Sequence, residues 1–103
     1  MSNKITYNNG TSVWRNSQGK HHRLNGPAIQ YNSGTKLWII NGTPHRINGP
    51  ASLYADGNKI WKINGKYHNT NGPATHYTNG NKEWFINGTK YSQPNYNKVL
   101  KLP

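Results

Sequence analysis

Apolar residues along this chain fall in short runs that alternate with polar ones and stop at glycines. Lys36-Leu37-Trp38-Ile39-Ile40, Lys59-Ile60-Trp61-Lys62-Ile63 and Lys82-Glu83-Trp84-Phe85-Ile86 are the clearest. Period-two alternation in segments rich in aromatic and β-branched residues predicts strands. The tripeptides Tyr31-Asn32-Ser33, Tyr54-Ala55-Asp56 and Tyr77-Thr78-Asn79 each run into a glycine and predict tight turns. Asn41-Gly42, Asn64-Gly65 and Asn87-Gly88 predict two-residue hairpin loops, since both residue types tolerate positive φ. Each unit thus reads as two strands, and the chain as an all-β, single-layer antiparallel meander of about eight strands in one twisted sheet.

The units are copies of one another. Tyr31, Tyr54 and Tyr77 lie 23 residues apart, as do Gly34, Gly57 and Gly80, then Trp38, Trp61 and Trp84. Asn-Gly-Pro-Ala recurs at Asn25, Asn48 and Asn71, each three residues after His22, His45 or His68. A looser first copy begins at Tyr7, Gly10 and Trp14, and the last degrades after Gly88, where Tyr91 takes the place of the histidine. Atypical terminal copies are what a linear array requires as caps. The expected organisation is a single domain of residues 1–103, with repeats at about 7–30, 31–53, 54–76 and 77–91 and a cap over 92–103. Within the cap, Lys98-Val99-Leu100-Lys101-Leu102 alternates like a final strand.

Alternation assigns faces. Lys36, Trp38 and Ile40 share one face with their counterparts in later copies, and this near-invariant face is expected to be the packed one. The other face varies: Leu37 and Ile39, Ile60 and Lys62, Glu83 and Phe85. Two strands per copy place equivalent residues ~10 Å apart in a ribbon ~40 Å long.

Composition tests this picture. Leu, Ile, Val and Phe make up 16 of 103 residues and the net charge is +11, values typical of disordered chains. Four Trp and seven Tyr, mostly held at fixed phase, overturn that reading, because each ring can bury roughly 150–250 Å². Without cysteine there is neither a disulfide framework nor a thiolate metal site. The polar start and the lack of a long apolar run argue against a signal peptide or anchor, so a cytoplasmic location is expected.

The order Y-x-x-G-x-x-x-W-x-x-N-G-x-x-H at a 23-residue period resembles the MORN repeat over residues 7 to about 91. Asn-Gly-Pro-Ala after the histidine, as in His45-Arg46-Ile47-Asn48-Gly49-Pro50-Ala51, departs from the usual MORN pattern and is similar to MORN-like arrays of bacteriophages and large DNA viruses. The resemblance implies a single-layer hairpin sheet used for protein contacts and, in some members, for acidic phospholipid. It also implies acidic residues where Asn25, Asn48 and Asn71 stand here.

Charge then directs the search for chemistry. Thirteen Lys and Arg face only Asp56 and Glu83, a balance that favours an anionic partner: nucleotide, nucleic acid, lipid headgroup or acidic protein. Lys36, Lys59 and Lys82 form one candidate row, unless they only solubilise the sheet. His22-Arg23, His45-Arg46 and His68 form a second at the loops. The in-register Trp residues are either core or ring platforms for bases or guanidinium groups. Aromatics off the repeat, Tyr67, Phe85, Tyr91 and Tyr96, are the better stacking candidates, and Tyr67 joins the candidate ligand residues.

Catalysis lacks a constellation. The two carboxylates sit on a turn and on the variable face, the glycines serve turns and not a phosphate loop, and the histidines lack carboxylates to orient them on a metal. No cofactor or metal is expected. The reading is a non-enzymatic binder of an anionic ligand through basic loops. The alternatives are an interaction module or inhibitor acting on an acidic host protein through Leu37, Ile39, Ile60 and Phe85, and a binder of acidic phospholipid. The sheet edge or the C-terminal tail offers a route to a homo-oligomer.

Overall fold

The computed structural model describes residues 2–102. Its strands are β1 (Asn3–Thr6), β2 (Ser12–Arg15), β3 (Ile29–Gln30), β4 (Lys36–Leu37), β5 (Ile39–Ile40), β6 (Thr43–Pro44), β7 (Ser52–Leu53), β8 (Lys59–Ile60), β9 (Lys62–Ile63), β10 (Lys66–Tyr67), β11 (Thr75–His76), β12 (Lys82–Ile86) and β13 (Thr89–Tyr91). One helix, α1 (Gln93–Leu100), ends the chain. Nine strands form an open antiparallel sheet in the order β1-β2-β3-β4-β7-β8-β11-β12-β13, and β5-β6 and β9-β10 are separate hairpins beside it. The all-β meander is therefore observed, in a molecule 47 × 30 × 16 Å across.

The copies at 31–53 and 54–76 hold more strands than two because their long segment breaks at the tryptophan, whereas β2 and β12 run unbroken through Trp14 and Trp84. In the copy 31–53, β4 pairs with β3 and β7, whereas β5 turns away to pair with β6. Trp38 belongs to both parts: its N–H donates to Ala51 C=O at 2.7 Å and its C=O accepts from His45 N–H at 3.1 Å. The hairpin β5-β6 closes through Asn41 and Gly42 at φ 48° and 80°, the doubly positive conformation expected of an Asn-Gly loop.

That break also relocates the core. Leu37 and Ile39, the residues flanking Trp38, pack against Val13, Ala28 and Ile29, and Ile39 is only 8 % exposed. Trp38 and Ile40 stay half-buried and Lys36 is exposed. The expectation that the invariant face is the packed one is thus corrected. The divergence of β4 and β5 makes an angle in the backbone that buries Ile39 on its inner side, whereas Ile60, Lys62, Glu83 and Phe85 at the equivalent places of later copies are half-buried.

Two hydrogen-bond ladders hold consecutive copies together. On the tyrosine turns, the side-chain oxygens of Thr11, Thr35 and Asn58 accept from the N–H groups of Asn32, Ala55 and Thr78 at 2.8–3.1 Å. On the Asn-Gly turns, Nδ1 of His22, His45 and His68 accepts from the N–H groups of Asn41, Asn64 and Asn87 at 2.9–3.0 Å. Each such N–H sits at a positive-φ residue of a two-residue loop and would otherwise face solvent.

The tail departs from the expected strand. Ser92 caps α1 by accepting from Asn95 N–H at 3.3 Å, and Pro94 lies in the first turn, where a missing N–H costs nothing. Tyr96, Val99 and Leu100 follow at helical spacing, so the apolar residues share a helix face and not a strand face. The helix packs on β12 and β13, with Tyr96 3 % exposed.

Candidate ligand cleft between the repeat loops

Each Asn-Gly-Pro-Ala loop is held by the residue after its histidine. The Arg46 guanidinium lies 3.7 Å from the centre of the Trp38 ring and donates Nη1–H to Pro50 C=O at 3.1 Å. Arg23 repeats this on Trp14 at 3.9 Å, donating to Pro27 C=O at 3.3 Å. The second glycine-type feature of the loop follows from this stacking. A Cβ on Gly49 would stand 2.7 Å from Arg46 Cζ, and one on Gly26 would stand 2.9 Å from Arg23 Cζ, so glycine here makes room for a guanidinium. In the third copy Asn69 replaces the arginine and donates to Pro73 C=O at 2.9 Å.

Between the first and second loops lies a cleft of about 490 Å³. Arg23 and the segment Leu24 to Pro27 form one wall, Arg46, Ile47 and Asn48 the other, and Trp38, Ile40 and His45 the floor. Its charge is uncompensated. Glu83 is held by Lys90 at 2.9 Å and by the Thr75 hydroxyl at 2.9 Å, and Asp56 accepts from Asn58 within its own turn. Among the described residues no carboxylate borders the two arginines, and partial burial lowers the Arg46 guanidinium from its ordinary value. Leu24 and Ile47 stand at the two loop tips, 75 % and 76 % exposed.

The candidate residues therefore separate into groups. Arg23, His45 and Arg46 meet at the cleft, although the imidazole of His45, like those of His22 and His68, spends Nδ1 on the next copy's turn. Lys36, Lys59 and Lys82 lie elsewhere, in one transverse row of the large sheet, exposed and without an ion pair among the described residues. Tyr67 is in neither group: its ring packs on Phe85 with centroids 4.9 Å apart, and Lys62 Nζ lies 4.8 Å from its centre. That contact and the burial of Ile39 leave Leu37, Ile39, Ile60 and Phe85 a half-buried or buried set instead of an open patch. Among the described residues no three side chains converge that could hold a metal, and no helix is long and apolar enough to cross a membrane.

Two features were missed from the sequence: the exposed apolar tips Leu24 and Ile47, and the arginine stack on tryptophan. Leu24 and Ile47 occupy equivalent places in a loop whose neighbours are all polar, Gly or Pro, which was a usable signal. Compared with protein-family models, with curated proteins and with solved structures, the chain finds no match in any of the three.

Proposed function

We propose that this chain is a non-enzymatic binding protein that takes an anionic ligand, a nucleotide or nucleic acid, into the cleft between its first two Asn-Gly-Pro-Ala loops. The observation that carries this reading is a cleft lined by two arginines, Arg23 and Arg46, with no carboxylate among its described lining residues. Each engages one of its five N–H donors in the loop, which leaves the rest for an oxyanion. A space of about 490 Å³ lies in the usual range for small-ligand sites. The reading extends the MORN-like, phage- or virus-type resemblance and has the protein act in a host cytoplasm. Calorimetric titration of ATP and of a short single-stranded oligonucleotide, at low and high salt, tests it. Oligonucleotide affinity should fall with a log–log salt slope of about −0.7 per phosphate contacted, and Arg46→Met should flatten it. Absence of binding by both probes at low salt defeats the proposal.

A second reading, an acidic protein segment as the anionic ligand, is favoured by Leu24 and Ile47. Apolar side chains this exposed on both rims of a basic cleft suit a protein surface better than a phosphate.

A further inference from the structure

The chain fills one copy of its own cleft. Two periods, or 46 residues, separate Arg23 from Asn69, Gly26 from Gly72 and Trp38 from Trp84. At this far position α1 inserts Tyr96. Its ring lies 6.5 Å from that of Trp84, and its hydroxyl reaches the loop backbone. The hydroxyl donates toward Asn69 C=O at 2.6 Å and Gly72 C=O at 2.9 Å, and accepts from Gly72 N–H at 3.2 Å. The corresponding groups in the open cleft, Arg23 C=O, Gly26 C=O and Gly26 N–H, have no hydrogen-bond partner among the described residues.

The loop tips change with occupancy. Leu24 stands exposed beside the open cleft, whereas Thr70 occupies its register where the cleft is filled. An apolar tip is retained where an occupant from outside would cover it, and a polar one where the chain's own helix already sits.

We infer that the open cleft is a docking site for a tyrosine side chain presented by an acidic segment of a partner protein. The ring enters beside Trp38 and the Arg46 guanidinium that covers it, and its hydroxyl reaches the backbone groups of the first loop as Tyr96 reaches those of the third. Neighbouring carboxylates meet Arg23 and Arg46, in a protein whose net charge of +11 repels basic sequences. The inference rests on the second reading, in which an acidic protein segment is the cleft's ligand, and adds the side chain that enters it.

The test is an NMR titration of the full chain with the blocked peptide Glu-Glu-Tyr-Glu-Glu, its phenylalanine and alanine analogues, and AMP. The Gly26 amide and the Trp38 indole should shift saturably with the tyrosine peptide. The alanine analogue should bind at least about tenfold more weakly, as expected when an aromatic anchor is removed. The phenylalanine analogue should fall between them and leave the Gly26 amide unshifted. Equal affinity of the tyrosine and alanine peptides would overturn the inference while leaving anion capture in the cleft standing. Shifts of the same two groups by AMP alone would overturn it in favour of a nucleotide. No response to any probe would remove the site itself.

Discussion

Replacing His45 by alanine separates a structural histidine from a ligand-binding one. Its Nδ1 lies 2.9 Å from Asn64 N, an N–H held at φ 51° in the turn of the next copy. Asn64 is exposed, so water takes over the donor when the ring is removed, and the loss stays near the usual net value of about 1 kcal/mol. The three links are separated by ~10 Å, two strand spacings, and share no partner. Losses at such sites add, so the His22, His45 and His68 triple alanine variant should lose about 3 kcal/mol. Against a typical domain stability of about 5–15 kcal/mol that is a large fraction. For a domain of this size each kilocalorie lowers the melting temperature by roughly 4–8 °C. Urea unfolding followed by tryptophan fluorescence gives the free energies, with His76→Ala as control, since His76 makes no such bond and should stay within about 0.5 kcal/mol. If His45→Ala is as stable as the parent, the ladder carries no energy. If it also loses oligonucleotide binding, the imidazole serves the ligand after all.

Gly49→Ala should cost about 1–2 kcal/mol, because its Cβ would meet Arg46 Cζ at 2.7 Å and push the guanidinium off Trp38 and Pro50. The cost should vanish in an Arg46→Met background, which a double-mutant cycle reads directly. Tyr96→Phe removes one hydroxyl from three backbone groups and should destabilise by about 1–3 kcal/mol; an unchanged urea midpoint would show that α1 is not anchored there. The hydrogen bond from Lys90 and then that from Thr75 hold the Glu83 carboxyl below its ordinary value of 4.5. A depressed folded-state value means stability that is present above the unfolded value and is lost as pH falls through the folded one. Glu83→Gln should therefore be less stable than the parent at neutral pH and lose less on acidification below about pH 4.5, as thermal melts across that range would show.

How much of this is legible in the sequence depends on what kind of cause each repeated residue has. Asn41-Gly42 and its copies announced their hairpins because a doubly positive φ is a local requirement that only a few residue types meet. The break at Trp38 was not announced, since Lys36 to Ile40 alternates without interruption and the divergence comes from two different pairing partners. The tail was misread by the same alternation, although Ser92 and Pro94 carried a helix start.

The histidines are the instructive case, because a residue repeated for a ligand and one repeated for the backbone look alike within a copy. What distinguishes them is the end of the array. His22, His45 and His68 are each followed 19 residues later by an Asn-Gly turn, and the last copy, with no turn to follow, has Tyr91 in that place. A ligand gives no reason for the histidine to disappear where the next copy does; a donor supplied by that next copy does give one. Residues that vanish with their structural counterpart, as these histidines do, belong to the scaffold. The arginines on Trp14 and Trp38 follow no such rule: Asn69 replaces them although Trp61 and the loop Asn71-Gly72-Pro73-Ala74 persist, so that loop is held without a guanidinium. Leu24 and Ile47 answer to no such counterpart: both stand exposed at the rim of the cleft that we propose as the binding site.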